Sequence, residues 1–253
     1  MAFWGDYHTH TVFSHGKGTI EENVVSAINK GLKEIAITDH GFRHLTFNVS
    51  RSGYKQMREE VTALREKYPQ INIRLGVEAN IRSYDGKVDV TDDDVADLDI
   101  MVCGYHKLVL PKYPKEFFTF FLNNLIKGES KSDVKRMVRN TDAYLKMLEN
   151  YEVDIVSHIN YGISADALEI ARACRHFGTL VELNGKRINI TDKELEIMAS
   201  EGVNFICDSD AHSPLRVGDF SLPLETIERL HLPYELIANW EKLPTFRSEK
   251  NRK

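Results

Sequence analysis

Only three cysteines occur in the 253-residue chain, at Cys103, Cys174 and Cys207. An odd count without C-x-x-C spacing argues against a disulfide framework or a redox pair, and each thiol sits in an apolar segment as a reduced core residue would. Seven prolines and no low-complexity tract leave nothing that reads as a linker. No uninterrupted apolar run approaches the roughly 20 residues of a membrane helix, and the N-terminus lacks the basic-then-apolar pattern of a secretion signal. Positive charge is also short, with 33 Lys and Arg against 38 Asp and Glu and a net charge of −5. Extended nucleic-acid surfaces and anionic membranes call for broad positive patches, so neither is expected as the main partner, whereas a local basic pocket remains open. The expectation is a cytoplasmic protein with one large α/β core, for which 42% hydrophobic and 28% charged residues are ordinary values.

What the chain does have is histidine, ten in all, three of them close to the start. The stretch Asp6-Tyr7-His8-Thr9-His10-Thr11-Val12-Phe13-Ser14-His15-Gly16 follows the short apolar run Ala2-Phe3-Trp4. Side chains at i and i+2 leave the same face of an extended backbone, so His8 and His10 can converge on one ion, with His15 approaching from a loop. A lone histidine is more often hydrogen-bonded or on the surface. Here the balance shifts because later apolar runs end in the same kind of residue.

Those runs alternate with helical patterns. Thr19 to Lys30 carries apolar residues at helical spacing, opened by the capping box Thr19-Ile20-Glu21-Glu22 and stopped by Gly31. The β-like run from Glu34 then ends in Asp39-His40. Tyr54 to Tyr68, Asp92 to Asp97, Asp133 to Asn150 and Ser164 to Phe177 read as helices, and Thr191 to Glu194 as a second capping box. The runs between them finish on Glu78, His106, His158, Glu182 with Asn184, and Asp210 with His212. Seven β-like segments separated by helices predict a parallel sheet, whose functional groups gather beyond the carboxyl ends of the strands. Candidate ligands on nearly every strand suit a closed ring better than an open sheet, so the expectation is an α/β barrel of seven strands.

Imidazole nitrogens and carboxylates suit zinc, iron or manganese, and a carboxylate can bridge two ions. The nine candidates His8, His10, His15, His40, Glu78, His106, His158, Asp210 and His212 are too many for one ion, so two or three divalent ions (Zn, Mn or Fe) are expected as cofactors. Such a cluster turns bound water into hydroxide near neutral pH and neutralises charge on a phosphoryl oxygen.

His8-Thr9-His10-Thr11, Ser14-His15-Gly16, Thr38-Asp39-His40-Gly41, Gly76-Val77-Glu78, Gly104-Tyr105-His106, Ser157-His158 and Ser209-Asp210-Ala211-His212 resemble, in order, the motifs of the PHP family, named for polymerase and histidinol phosphatase. The resemblance implies a distorted (β/α)7 barrel over residues 1–246, followed by a charged tail at 247–253 that is expected to fray. It also implies a trinuclear centre and phosphomonoesterase activity on a small phosphorylated molecule. By position, His8 and His10 would bind one ion with Glu78 and Asp210. Glu78 would bridge to a second ion on His106 and His158, and His15, His40 and His212 would hold a third. Ile159-Asn160 stands where histidinol phosphatase-like members commonly have proline after the histidine, which changes the loop that presents His158.

His40, Asp210 and His212 are candidate catalytic residues as well as ligands. Asp39 is a fourth, as an acceptor that orients His40 or as a general acid/base. Arg43, Lys107, Arg187 and Arg216 follow strand ends and are candidate phosphate contacts. His44, His176 and His231 fit no pattern and read as structural or surface residues. The connection 108–132, with four clustered phenylalanines, reads as a lid or as a helix packed on the barrel or a partner subunit. The competing functions are a phosphodiesterase or nuclease on short oligonucleotides and a non-catalytic metal-binding module. An amidohydrolase-like C–N hydrolase ranks lower, because the middle strands offer Glu78 and His106 where that class has a bridging lysine.

Overall fold

Apolar runs and helical stripes alternate along the chain as strand and helix do in the structure. The computed structural model describes residues 2–251, so the last two positions of the expected tail lie outside the described residues. The strands are β1 (Gly5–Asp6), β2 (Glu34–Ile37), β3 (Asn72–Asn80), β4 (Ile100–Gly104), β5 (Ile155–Val156), β6 (Leu180–Asn184) and β7 (Phe205–Asp208). They form one sheet in sequence order, and every pairing is parallel. The helices are α1 (Ile20–Asn29), α2 (Arg51–Lys67), α3 (Asp92–Ala96), α4 (Asn123–Lys127), α5 (Val134–Asn150), α6 (Ala167–Phe177), α7 (Asp192–Ser200), α8 (Ser221–Leu230) and α9 (Arg247–Asn251). This is the expected seven-unit β/α barrel.

Its ends meet just past the first and last strands. His10 N–H donates to the Ala211 carbonyl at 2.8 Å and Ala211 N–H to the His8 carbonyl at 3.2 Å. Buried carboxylates reinforce this seam. Asp6 accepts from Ser209 N–H (3.0 Å), the Ser209 hydroxyl (2.5 Å) and Gly218 N–H (2.7 Å), and Asp208 accepts from Tyr7 N–H (2.7 Å).

Strand alternation explains where chemistry sits. Ala36, Val102, Leu180 and Ile206 pack with Ile100, Ile155, Tyr7 and Phe246 in a small cluster inside the barrel. Their neighbours Ile35, Ile37, Cys103, Val181 and Phe205 join the larger core beneath the helices. Two and four residues beyond Leu180 and Ile206, on the same inward column, come Glu182, Asn184, Asp208 and Asp210. The barrel is therefore apolar at one end and polar at the other.

Both predicted capping boxes form, at Thr19 with Glu22 and at Thr191 with Glu194. Two helices begin elsewhere than their apolar spacing predicts. The Ser50 hydroxyl caps Gly53 N–H and starts α2 at Arg51, and the Asp166 carboxylate caps Leu168 and Glu169 and delays α6 to Ala167. Of the four phenylalanines after β4, Phe120 and Phe121 are buried while Phe117 and Phe118 are exposed, in a π-helical turn over Phe117–Leu122. Phe120 packs edge-on against Tyr84, with centroids 4.9 Å apart, which makes this segment a helix packed on the barrel. The Gly128–Ser132 stretch is tied down by buried Arg136, whose guanidinium donates to the carbonyls of Gly128 and Ser130.

The segment from 247, expected to fray, is docked where it begins. Ser248 N–H donates to Asp154 at 2.9 Å and Arg247 to the Leu148 carbonyl at 3.0 Å, because Phe246 plugs the apolar end of the barrel and carries the chain across it. Burial pushes the Asp154 carboxyl up to about 6. A folded pKa above the unfolded one means that the folded state keeps a proton the unfolded state has lost, so stability falls as pH rises from about 4 to about 6. Asp154→Asn stays neutral, and over that interval wild type is expected to lose up to about 3 kcal/mol relative to it. Urea unfolding of both proteins at several pH values reads the difference, and parallel pH profiles would show that Asp154 titrates normally.

Candidate metal centre

Every strand delivers at least one polar side chain to the same end of the barrel. Glu78 on β3 is the hub. Its carboxylate lies 2.7 Å from His158 Nε2, 2.9 Å from His40 Nδ1, 3.2 Å from His8 Nε2 and 3.4 Å from His106 Nε2. Asp210 is the second hub, 3.4 Å from His10 Nε2, 3.8 Å from His8 Nε2 and 3.3 Å from His212 Nδ1. The backbone at both His158 and Asp210 is left-handed, with φ of 25° and 48°. Non-glycine residues in that region cost energy and concentrate where a side chain must be aimed.

The donor atoms fall into four overlapping groups: His10 with His40 and His212, His8 with His10 and Asp210, His8 with Glu78 and His158, and His40 with Glu78 and His106. His40 thus reaches both the Glu78 group and the His10 and His212 group, where the family pattern puts it with His15 and His212. His15 belongs to none of the four, but its ring lies 4.1 Å from that of His212 and 4.8 Å from that of His40. Several buried donor atoms have no hydrogen-bond partner: His8 Nε2, both His10 nitrogens, His15 Nδ1, His40 Nδ1 and Glu78 Oε2. Lone pairs that converge without hydrogen-bond alignment fit divalent cations of the zinc, manganese or iron type.

Protonation fits the same picture. Burial holds His10 and His106 well below the ordinary imidazole range, His15 at about 3 and His212 at about 4, so these four are neutral and ready to coordinate. Burial opposes charge on His8 and His158 too, yet Glu78 and Glu182 raise both. Burial would push the Glu78 and Asp210 carboxyls up, but the imidazoles around them hold both well below the usual range.

Behind the candidate ligands stands a supporting layer. Glu182 accepts from His8 Nδ1 and from His158 N–H, each at 2.6 Å, and Asn80 Oδ1 accepts from His106 Nδ1 at 2.8 Å. The contacts to His8 Nδ1 and His106 Nδ1 fix which nitrogen of each ring is left to face the centre, and the one to His158 N–H holds the backbone that presents its ring. Asp39, expected to orient His40 or to move protons, is occupied otherwise. Its oxygens accept from Thr11 N–H (2.8 Å), the Thr11 hydroxyl (2.6 Å) and the Ser14 hydroxyl, so it holds the turn that carries His15.

The metal-facing end opens into a cavity of about 330 Å³. Of the four candidate phosphate contacts, Lys107 and Arg187 line it, and Arg43 and Arg216 do not. Arg216 pairs with Asp219 at 2.8 Å and donates to the Gly185 carbonyl, a local i, i+3 pairing that spends its charge. Among the lining residues that escape sequence reasoning are Lys186 and His44, and also Phe47 and Tyr161. Lys186 Nζ reaches Asp210 at 3.2 Å and His212 at 2.5 Å. His44, expected to be structural or on the surface, is buried at the cavity wall, where its Nδ1 accepts from Thr46 and Phe47 N–H. The offset from His40 to His44 was the available signal, and the turn between them hid it.

Fold and site together define a metal-binding β/α-barrel protein. The chain belongs to the PHP family, whose PHP domain model matches residues 6–199. Asp210 and His212 lie beyond that match, and the barrel seam brings them into the centre. The chain is 27% identical over 249 residues to a protein from Acetivibrio thermocellus described as a probable phosphatase, covering 94% of this chain and 92% of that one. Another probable phosphatase, from Caldanaerobacter subterraneus subsp. tengcongensis, is 29% identical over 260 residues, covering 98% and 92%. The fold is also that of the histidinol phosphate phosphatase from Lactococcus lactis, solved with zinc, L-histidinol and phosphate. The TM-score is 0.60 at 18% identity, over 90% of this chain and 94% of that one.

Proposed function

We propose that the protein is a metal-dependent phosphomonoesterase acting on a small molecule. The observation that carries this is the convergence of imidazole nitrogens on Glu78 and Asp210 at the floor of a cavity flanked by Lys107, Lys186 and Arg187. Phosphatase relatives along nearly the whole chain support it. The cavity lies at the small end of the roughly 300–1,000 Å³ typical of small-molecule sites, which favours a metabolite over a polymer.

His8, His10, His15, His40, Glu78, His106, His158, Asp210 and His212 would hold two or three ions. When bound, the ions supply a nucleophilic water ionised near neutral pH and neutralise charge on the phosphoryl oxygens. The chain's own groups bind and orient. Lys186, beside Asp210 and His212, donates to a phosphoryl oxygen, and Arg187 and Lys107 add charge at the rim. His40, Asp210 and His212 face the reacting group directly. Asp39 acts through Thr11 and Ser14, by fixing the turn that presents His15.

Protein purified without chelator or metal-binding tag is expected to carry two to three equivalents of metal by elemental analysis and to hydrolyse an aryl phosphate. Chelation should abolish turnover and added metal restore it. A fully metallated protein inert to every phosphomonoester tried would overturn the proposal. Lys186→Ala is expected to lower kcat/KM by about 10- to 100-fold, the worth of one charged hydrogen bond, with partial recovery in Lys186→Arg.

A further inference from the structure

The cavity wall changes character around the barrel. Lys186 and Arg187 come from the turn after β6. Along the ends of β2, β4 and β5 the wall instead carries Phe47, Leu108 and Tyr161, with His44 and Lys107 between them. These three are 39%, 37% and 39% exposed, so they are large apolar surfaces left open over a polar floor.

Each is held in place. The Phe47 ring stacks on His15, with centroids 4.3 Å apart, and its N–H donates to His44 Nδ1 at 3.2 Å. Tyr161 stands edge-on to His158 at 5.2 Å, with the Arg187 guanidinium 5.1 Å from its ring centre. Leu108 has a left-handed backbone, φ 64°, fixed by Leu45 N–H donating to its carbonyl at 2.9 Å. A branched residue kept in that conformation at a cavity mouth points to a function for its side chain.

We infer that the leaving group of the substrate carries a flat apolar ring that lies against Phe47, Leu108 and Tyr161, with the phosphoryl group on the Lys186 side. This rests on the phosphomonoesterase reading. The exposed part of these side chains rewards a ring through contact and loss of hydrated apolar surface, and gives a small polar alcohol nothing in return. Such a wall supplies specificity, because an ester that cannot cover it leaves it wet.

The test compares 2-phenylethyl phosphate with 2-hydroxyethyl phosphate, primary alkyl esters whose leaving alcohols have similar basicity. In parallel, the two corresponding phosphonates are titrated calorimetrically into the metal-loaded protein. The expected result is a kcat/KM ratio and a Kd ratio of at least about tenfold in favour of the phenyl compound. Phe47→Ala and Tyr161→Ala should each shrink both ratios by at least about threefold. Turnover of both esters without preference, or a preference untouched by either substitution, would overturn the inference and leave the phosphatase reading standing. Preferential binding of the phenyl phosphonate with no phosphomonoester hydrolysed, the aryl phosphate included, would overturn the phosphatase reading and keep the ring site. A 2-cyclohexylethyl ester used equally well would show that flatness plays no part.

Discussion

Glu78→Gln is expected to remove at least one equivalent of bound metal and to cut turnover by about 1,000-fold or more, the scale of losing metal-assisted charge stabilisation. The side chain keeps its shape and loses only its charge, so folding should survive and circular dichroism should be unchanged. The size of the effect follows from geometry. Four imidazoles from four different strand ends lie within 3.4 Å of this one carboxylate. No other described carboxylate in the cluster lies against as many imidazoles, and its strand, β3, is the longest of the seven, reaching Asn80 and pairing with β4 through residue 104. Full metal content with more than about a tenth of wild-type turnover would show that Glu78 is not a shared ligand.

The second large effect lies outside the centre. Asp6→Ala is expected to destabilise the protein by about 3–5 kcal/mol, because two buried N–H groups and one hydroxyl lose their acceptor together. Those donors, on Ser209 and Gly218, belong to the turns that carry Asp210 and follow His212. Metal affinity should therefore fall in Asp6→Ala although no ligand has changed. Denaturant unfolding and metal titration on the same sample measure both. A loss below about 1 kcal/mol would mean that water replaces the carboxylate at the seam.

Much of this was legible because inward strand positions recur with period two. Each apolar run ends at the polar end of the barrel, so reading where the runs end finds His40, Glu78, His106, Glu182 and Asp210. Capping chemistry is local, and Thr19 with Glu22 and Thr191 with Glu194 could be read directly. What stayed hidden depends on reach and on competition between partners. Lys186 crosses to Asp210 and His212 on a flexible stem that follows no periodicity. His44 enters the wall because a turn folds its own backbone onto the ring. Asp39 precedes a candidate ligand and yet serves another turn, since Thr11 and Ser14 offer it three donors. Arg216 has a nearer anion in Asp219. Ser50 and Asp166 reset helix starts by one hydrogen bond each, where apolar spacing alone carries no boundary.

The seam between β1 and β7 has a further consequence. Each strand pairs with its successor, so the sheet can grow by short-range steps as the chain leaves the ribosome. The joints that span the molecule bring its two ends together, with Thr9 beside Ala211 and Phe3 beside Trp240. His8 and His10 meet Asp210 and His212 only when the Thr9 joint closes, and such long-range closure is intrinsically slow. Metal uptake during refolding should lag behind the recovery of helical signal, making the ions reporters of the final folding step.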